Sequence, residues 1–114
     1  MEKKQKKIVS EVNLFRKKTF DFLVIGARGL LGSEIYSLLN KNLTISVARK
    51  QSDYNLNLNK YKKLDYLFKK IKFKYVINCA GITNLPLCEK NYTRAKKINT
   101  ELPKFLSERS KKYK

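Results

Sequence analysis

A chain of 114 residues holds one domain with a real core, whereas a complete doubly wound α/β domain needs more strands than fit in it. Its net charge of +18 is mostly lysine, 22 of the 27 basic residues, in a chain also rich in Asn, Tyr and Phe; A/T-rich coding explains that bias, and with no nucleic-acid motif beside it no specific nucleic-acid partner is expected. Two cysteines without Cys-x-x-Cys spacing exclude a disulfide framework, the lack of histidine nearly excludes zinc and imidazole chemistry, and the apolar runs are only strand-sized, so we expect no metal site, no membrane span and a reducing, cytoplasmic setting.

Residues 1–18 form a basic extension. Ile8, Val12 and Phe15 are spaced i, i+4, i+7, so Lys6 to Lys17 reads either as a short amphipathic helix or as a disordered tail. Residues 19–114 form the domain proper. Thr19 to Ile25 is an apolar run that predicts a buried strand. Gly26-Ala27-Arg28-Gly29-Leu30-Leu31-Gly32 follows and opens a helix to Leu39, with residues 31, 35, 38 and 39 on one face. Strand, glycine-rich turn, helix is the context in which Gly-x-x-Gly-x-x-Gly carries meaning. Gly26 permits the tight turn, Gly29 lets backbone approach a pyrophosphate, and Gly32 lets the helix pack closely on the strand. The helix N-terminus then presents unpaired N–H groups and a positive dipole end to an anion.

Asn40-Lys41-Asn42 ends that helix, with a cation near its negative end. The β-branched run Leu43 to Ala48 predicts a second strand. Tyr54, Leu56 and Leu58 alternate with Asn55, Asn57 and Asn59, which predicts a short third strand with one buried face. Asn59 is placed to cap a helix striped by Tyr61, Leu64, Leu67, Phe68 and Ile71, whose lysines form a solvated outer face. Tyr75 to Gly81 reads as a fourth strand and its exit. A long helix, Asn91 to Lys111, follows with Ala95, Ile98, Leu102 and Leu106 inward, and Pro103 should kink it near Asn99. Alternating strands and helices imply right-handed parallel crossovers, hence an α/β fold: a partial Rossmann-like doubly wound parallel sheet in the order 3-2-1-4.

Four ordered segments resemble the extended short-chain dehydrogenase/reductase superfamily, closest to dTDP-4-dehydrorhamnose reductase-like sugar-nucleotide-binding proteins. They are Val24 to Gly32, Val76 to Gly81, Thr83 with Cys88-Glu89, and Ala95 to Asn99 with Pro103 four residues on. The likeness covers about residues 20 to 110 and corresponds to the N-terminal half of such a protein.

The resemblance implies NADP(H) or NAD(H) as cofactor. The N–H groups of Gly29, Leu30 and Leu31 would face its pyrophosphate. Arg49, where the family's NAD binders carry a carboxylate, suits a 2′-phosphate through bidentate charge-assisted bonds, with Arg28 in support; an ordinary exposed cation at the end of a strand is the alternative. Asn57-Leu58 takes the place of an Asp-hydrophobic pair beside the adenine. Ala80 and Gly81 would line the nicotinamide-side ribose, and Asn78 and Asn99 would satisfy backbone groups. Pro86 stands where many rhamnose-type relatives carry Asp.

The superfamily's catalytic Ser/Thr and Tyr-x-x-x-Lys follow a fifth strand, which should begin near Lys112-Tyr113-Lys114. Tyr92 with Lys96 and Tyr66 with Lys70 have the spacing but fall in other helices, so no catalytic residue is assigned. The chain is therefore expected to be the NAD(P)-binding portion of a sugar-nucleotide reductase, inactive alone. Alternatives are a non-catalytic nucleotide- or partner-binding module and, less favoured, a basic nucleic-acid-binding protein. A fourth strand left at the edge invites a C-terminal half chain or self-association.

Overall fold

The computed structural model describes residues 19–81 and 92–112. The 1–18 extension, Thr83, Pro86 and Cys88-Glu89 lie outside the described residues, as do Tyr113 and Lys114. Four parallel strands, β1 (Thr19–Ile25), β2 (Thr44–Ala48), β3 (Tyr54–Asn55) and β4 (Lys72–Asn78), form one sheet in the order β3-β2-β1-β4. This is the expected Rossmann-like α/β arrangement. β1 pairs with β2 from Phe22 opposite Thr44 to Ile25 opposite Val47, and with β4 from Thr19 opposite Lys72 to Ile25 opposite Asn78. All five residues of β2 are buried, as befits a strand covered on both faces.

One face of the sheet holds the main core. Leu23 and Ile25 of β1 meet Ile45 and Val47 of β2 there. A 3₁₀ segment, Leu58–Leu64, and the helix α2, Asp65–Lys70, bring Tyr61, Leu64, Leu67 and Phe68 onto them. Each large apolar side chain sequestered this way contributes about 1.5–3 kcal/mol. The cap of this segment lies two residues upstream of the expected Asn59. Asn57 Oδ1 accepts the Asn59 N–H at 3.0 Å, so the chain turns earlier and tighter, and Lys60 (φ −110°, ψ 43°) breaks the 3₁₀ run. Tyr54, Leu56 and Leu58 do lie toward the core, but only Tyr54 and Asn55 pair as a strand.

The last helical stretch is not one bent α-helix. It runs as α3 (Tyr92–Lys96), a π-helical turn (Lys97–Glu101) and α4 (Leu102–Lys112). Pro103 has no N–H for the Asn99 carbonyl, and its ring crowds that carbonyl. The helix widens instead: Leu102 N–H donates to Lys97 C=O, five residues back. Leu102, Phe105 and Leu106 still reach the core. Arg109 Nε, 2.7 Å from Asp65 Oδ1, ties α4 to α2, and Lys69 reaches the same carboxylate at 3.3 Å.

The other face is covered differently. Helix α1 (Leu30–Leu38) crosses from β1 to β2, and of its residues only Gly32 is buried. The apolar stripe read from its sequence is only partly covered: Leu31 and Leu38 are 63 and 85% exposed, while Ile35 and Leu39 are half-buried. Tyr36 is half-buried; burial first, and the Asp53 carboxylate second, push its hydroxyl up, while a hydrogen bond with Ser46 works the other way. Lys41 caps the helix as its position suggests, with Nζ 2.9 Å from the Tyr36 carbonyl and 3.2 Å from that of Leu39. β4 begins three residues before the expected Tyr75, because Lys72 to Lys74 continue the pairing with β1. On the described residues its outer edge meets no strand. A groove of about 740 Å³ runs along it, between Phe22, Tyr75 and Ile77 on the sheet and Ser107 and Ser110 on α4.

Candidate functional site

The site forms where β1 ends. Gly26 turns the chain with φ 77°, and its N–H and that of Ala27 both donate to the Val47 carbonyl, at 2.9 and 3.1 Å. The Cys79 N–H donates to the Ile25 carbonyl at 2.8 Å, so the exits of β1, β2 and β4 are laced together. A side chain at Gly26 would combine a left-handed φ with a Cβ 2.9 Å from the Ala80 nitrogen. At Gly32 the Cβ would lie 2.0 Å from the Gly26 carbonyl oxygen. The fold itself therefore demands both glycines. Gly29 is different: its φ is −75°, and a Cβ there would meet only the Gly26 oxygen at an ordinary 3.5 Å. Nothing within the described chain explains why it lacks a side chain.

Gly29 is also the N-cap of α1, and no side chain caps that helix. Its own N–H is already used, donating to Gly26 C=O at 3.1 Å, and its carbonyl takes the first helical bond from Ser33 N–H. The donors left open at this terminus are thus those of the first turn, Leu30, Leu31 and Gly32. Leu30, Leu31 and Gly32 are not among the residues that line the cleft in front of this terminus: the Leu30 and Leu31 side chains face solvent and Gly32 packs beneath the loop.

That cleft has a volume of about 400 Å³. Eight of the expected positions line it: Gly26, Arg28, Gly29, Arg49, Asn57, Leu58, Ala80 and Gly81. Arg49 follows β2 on a loop held from below. Ser52 Oγ accepts the Ala48 N–H at 3.0 Å, and the buried Asp53 carboxylate accepts from Ser46 N–H at 2.9 Å. Gln51 takes a positive φ of 56° in that tight loop. Asn57 spends Oδ1 on its capping bond, so the amide N–H₂ is the donor it can offer the cleft. Asn78 does the backbone work expected of it, accepting the Ala80 N–H at 3.1 Å.

Ala48, Leu56, Cys79, Arg94 and Ile98 also line the cleft and were not singled out from the sequence. Ala48, Leu56 and Cys79 are immediate neighbours of expected positions, so their place was implicit. Arg94 belongs to no motif. Burial pushes the Cys79 thiol up, which makes it a poor nucleophile at neutral pH. Three guanidiniums and no carboxylate line the cleft among the described residues, so it is a positive, partly apolar slot suited to a flat, anionic ligand. No tyrosine or lysine lines it there either. Tyr66 and Lys70 sit on α2, with Lys70 Nζ 5.8 Å from the Tyr66 ring centre, and neither lines the cleft.

The profile of the RmlD substrate binding domain matches residues 20–114. The chain belongs to that family. Comparisons with curated proteins and with solved structures returned no match. Membership of the RmlD family bears out the dTDP-4-dehydrorhamnose reductase-like resemblance carried by the glycine loop, the β4 exit and the Asn99 helix. RmlD domains occur in NAD(P)-dependent reductases, and binding of a sugar-nucleotide-reductase type follows from the family. No helix among the described residues is long and apolar enough to cross a membrane.

Proposed function

We propose that this chain is the dinucleotide-binding part of a cytoplasmic sugar-nucleotide reductase of the dTDP-4-dehydrorhamnose type, and that its cleft takes NADP(H) in preference to NAD(H). The observation that carries the reading is the contrast among the three glycines. Gly26 and Gly32 are imposed by backbone contacts, whereas Gly29 is bare where a pyrophosphate would lie against the open N–H groups of α1. The residues fit the group: N–H donors for the phosphates, Leu56 and Leu58 for an adenine face, and Arg49 for an anionic substituent on the adenosine ribose.

When bound, the cofactor supplies the hydride. The chain's own residues hold and orient it. The Arg49 guanidinium selects the 2′-phosphate, the backbone of Leu30 and Leu31 neutralises the pyrophosphate, and Ala80 and Gly81 leave room for the second ribose. Protonation of a carbonyl oxygen needs a proton donor that no described residue of the cleft supplies, so the isolated chain binds without turning over a dTDP-4-keto sugar. The β4 edge, which meets no strand among the described residues, supports a second component of the reading: the donor and its lysine arrive on a C-terminal half that adds its strand to β4. A non-catalytic binding module would share the cleft but gain no activity from such a partner.

Calorimetry with NADPH and NADH tests the preference. Arg49→Asp should weaken NADPH binding by about 10- to 100-fold, as loss of a charge-assisted bond predicts, and favour NADH. Equal wild-type affinity for the two, or none for either, contradicts the reading.

A further inference from the structure

We propose that Arg94 is a third anion-binding residue of the cleft, contacting the phosphate on the nicotinamide side of the ligand's pyrophosphate. The inference rests on the dinucleotide reading above and adds a residue and a subsite to it.

The first observation is composition. Lysine outnumbers arginine 22 to 5, so a cation placed without selection is far more often a lysine. Yet three of the five arginines, Arg28, Arg49 and Arg94, line this one cleft, and no described lysine does. Of the other two, Arg16 lies outside the described residues and Arg109 is matched to the Asp65 carboxylate. Every described arginine thus faces either an oxyanion or the cleft. Arginine differs from lysine in its planar fork of N–H donors, which grips carboxylate and phosphate oxygens two at a time. A chain that uses lysine almost everywhere else has kept arginine where that geometry matters.

The second observation is an unanswered donor. Arg94 is partly buried, and its Nε has no exposed surface and no hydrogen-bond partner among the described residues. A buried N–H left unpaired costs about 1–3 kcal/mol, so native structures rarely keep one without a use. No carboxylate among the described residues lines the cleft to answer it, and an anionic ligand would.

The third is position. Arg49 stands at the end of β2, on the side assigned to adenosine. Arg94 is on α3, which follows β4, and lines the cleft together with Ala80 and Gly81 of the β4 exit and with Ile98. Arg49 thus follows the β2 exit and Arg94 lies on the element after β4, two strands that flank β1, so we assign the two residues to opposite halves of one extended ligand.

The experiment titrates the full chain, wild type and variants, with NADPH, NADH and 2′,5′-ADP, which carries only the adenosine half. Wild type should bind all three. Arg94→Gln should weaken NADPH and NADH alike, by about 10- to 50-fold, the loss expected for a charge-assisted hydrogen bond. It should leave 2′,5′-ADP within about twofold, which also shows that the variant cleft is intact. Arg94→Lys should recover only part of the loss, because a point charge replaces a fork. Arg49→Gln should do the reverse, weakening NADPH and 2′,5′-ADP and sparing NADH. Wild-type affinity for NADPH in Arg94→Gln overturns the Arg94 assignment and leaves the dinucleotide reading standing. Equal loss of NADPH and 2′,5′-ADP overturns the subsite. Failure of wild type to bind any of the three removes the dinucleotide reading, and the Arg94 assignment with it.

Discussion

The cleft at the end of β1 and the groove along β4 are both open to solvent, but they are built for different things. The cleft is lined by three arginines and by backbone of the glycine loop that close contacts at Gly26 and Gly32 hold in place. The groove is lined by Phe22, Phe73, Tyr75 and Ile77 beside a strand edge that pairs with nothing described. Tyr75 is 60% exposed there and stacks on Phe22, 5.7 Å between ring centres. A rigid cradle of donors suits a small anion of fixed shape. A flat apolar edge suits another strand, which would bring its own N–H and C=O groups. The two surfaces share β1 and β4 but should fail independently.

Substitution at Gly32 is the way to break both at once. Its Cβ would overlap the Gly26 carbonyl at 2.0 Å, so Gly32→Val should cost about 3 kcal/mol or more, or prevent folding, in denaturant titrations followed by circular dichroism. Gly29→Val should separate the surfaces. The position has ordinary room, so stability should change by under about 1 kcal/mol, while dinucleotide affinity falls by at least about tenfold. Tyr75→Glu should do the opposite. At about 0.15 M salt, where screening reaches within roughly 8 Å, the wild-type chain should sediment as dimers or larger species. The added edge charge should weaken that association about tenfold without touching nucleotide binding. A monodisperse wild-type monomer under those conditions would show that the β4 edge is already covered.

The smallest effect is expected at Asp65, which lines neither surface but holds Arg109 at the margin of the groove. Partial burial raises the Asp65 carboxyl, but hydrogen bonds from Lys69 and Arg109, with their charges, outweigh it and hold it below the usual aspartate range. A lowered folded-state value means that the contacts stabilise above the unfolded pKa, near about 4, and that their contribution fades as pH falls through the folded value. Asp65→Asn should therefore lower the melting midpoint slightly at neutral pH and flatten its decline on the acid side.

Much of this was legible in the residues. The run Thr19 to Ile25 is a strand as read, and the run Leu43 to Ala48 is one from Thr44 on; both are rich in apolar or β-branched residues, as central strands of a parallel sheet are. The spacing of Gly26, Gly29 and Gly32 located the loop, yet it could not distinguish their uses; that took the positions of Ala80 and Gly26 backbone atoms. Periodicity misled at α1. Leu31, Ile35, Leu38 and Leu39 share a face, yet only Ile35 and Leu39 are even half-buried, because a stripe records which side seeks cover and not whether the described chain provides it. The helix cap moved from Asn59 to Asn57 because both are good cap residues two apart, and packing of Tyr61 chose between them. Pro103 signalled a defect near Asn99, and its form, a π turn that keeps Leu102 and Phe105 inward, was set by the core. Arg94 had no local signal, since its role depends on a cleft assembled from four strand exits and α3.

Calorimetric titration of wild type and Gly29→Val with NADPH, with matched circular dichroism spectra and melting midpoints, tests the cleft most directly. Wild type should bind one NADPH per chain, and the variant should fold as well but bind at least about tenfold more weakly. Undiminished binding by a folded Gly29→Val chain would mean that the loop after β1 does not hold the phosphates.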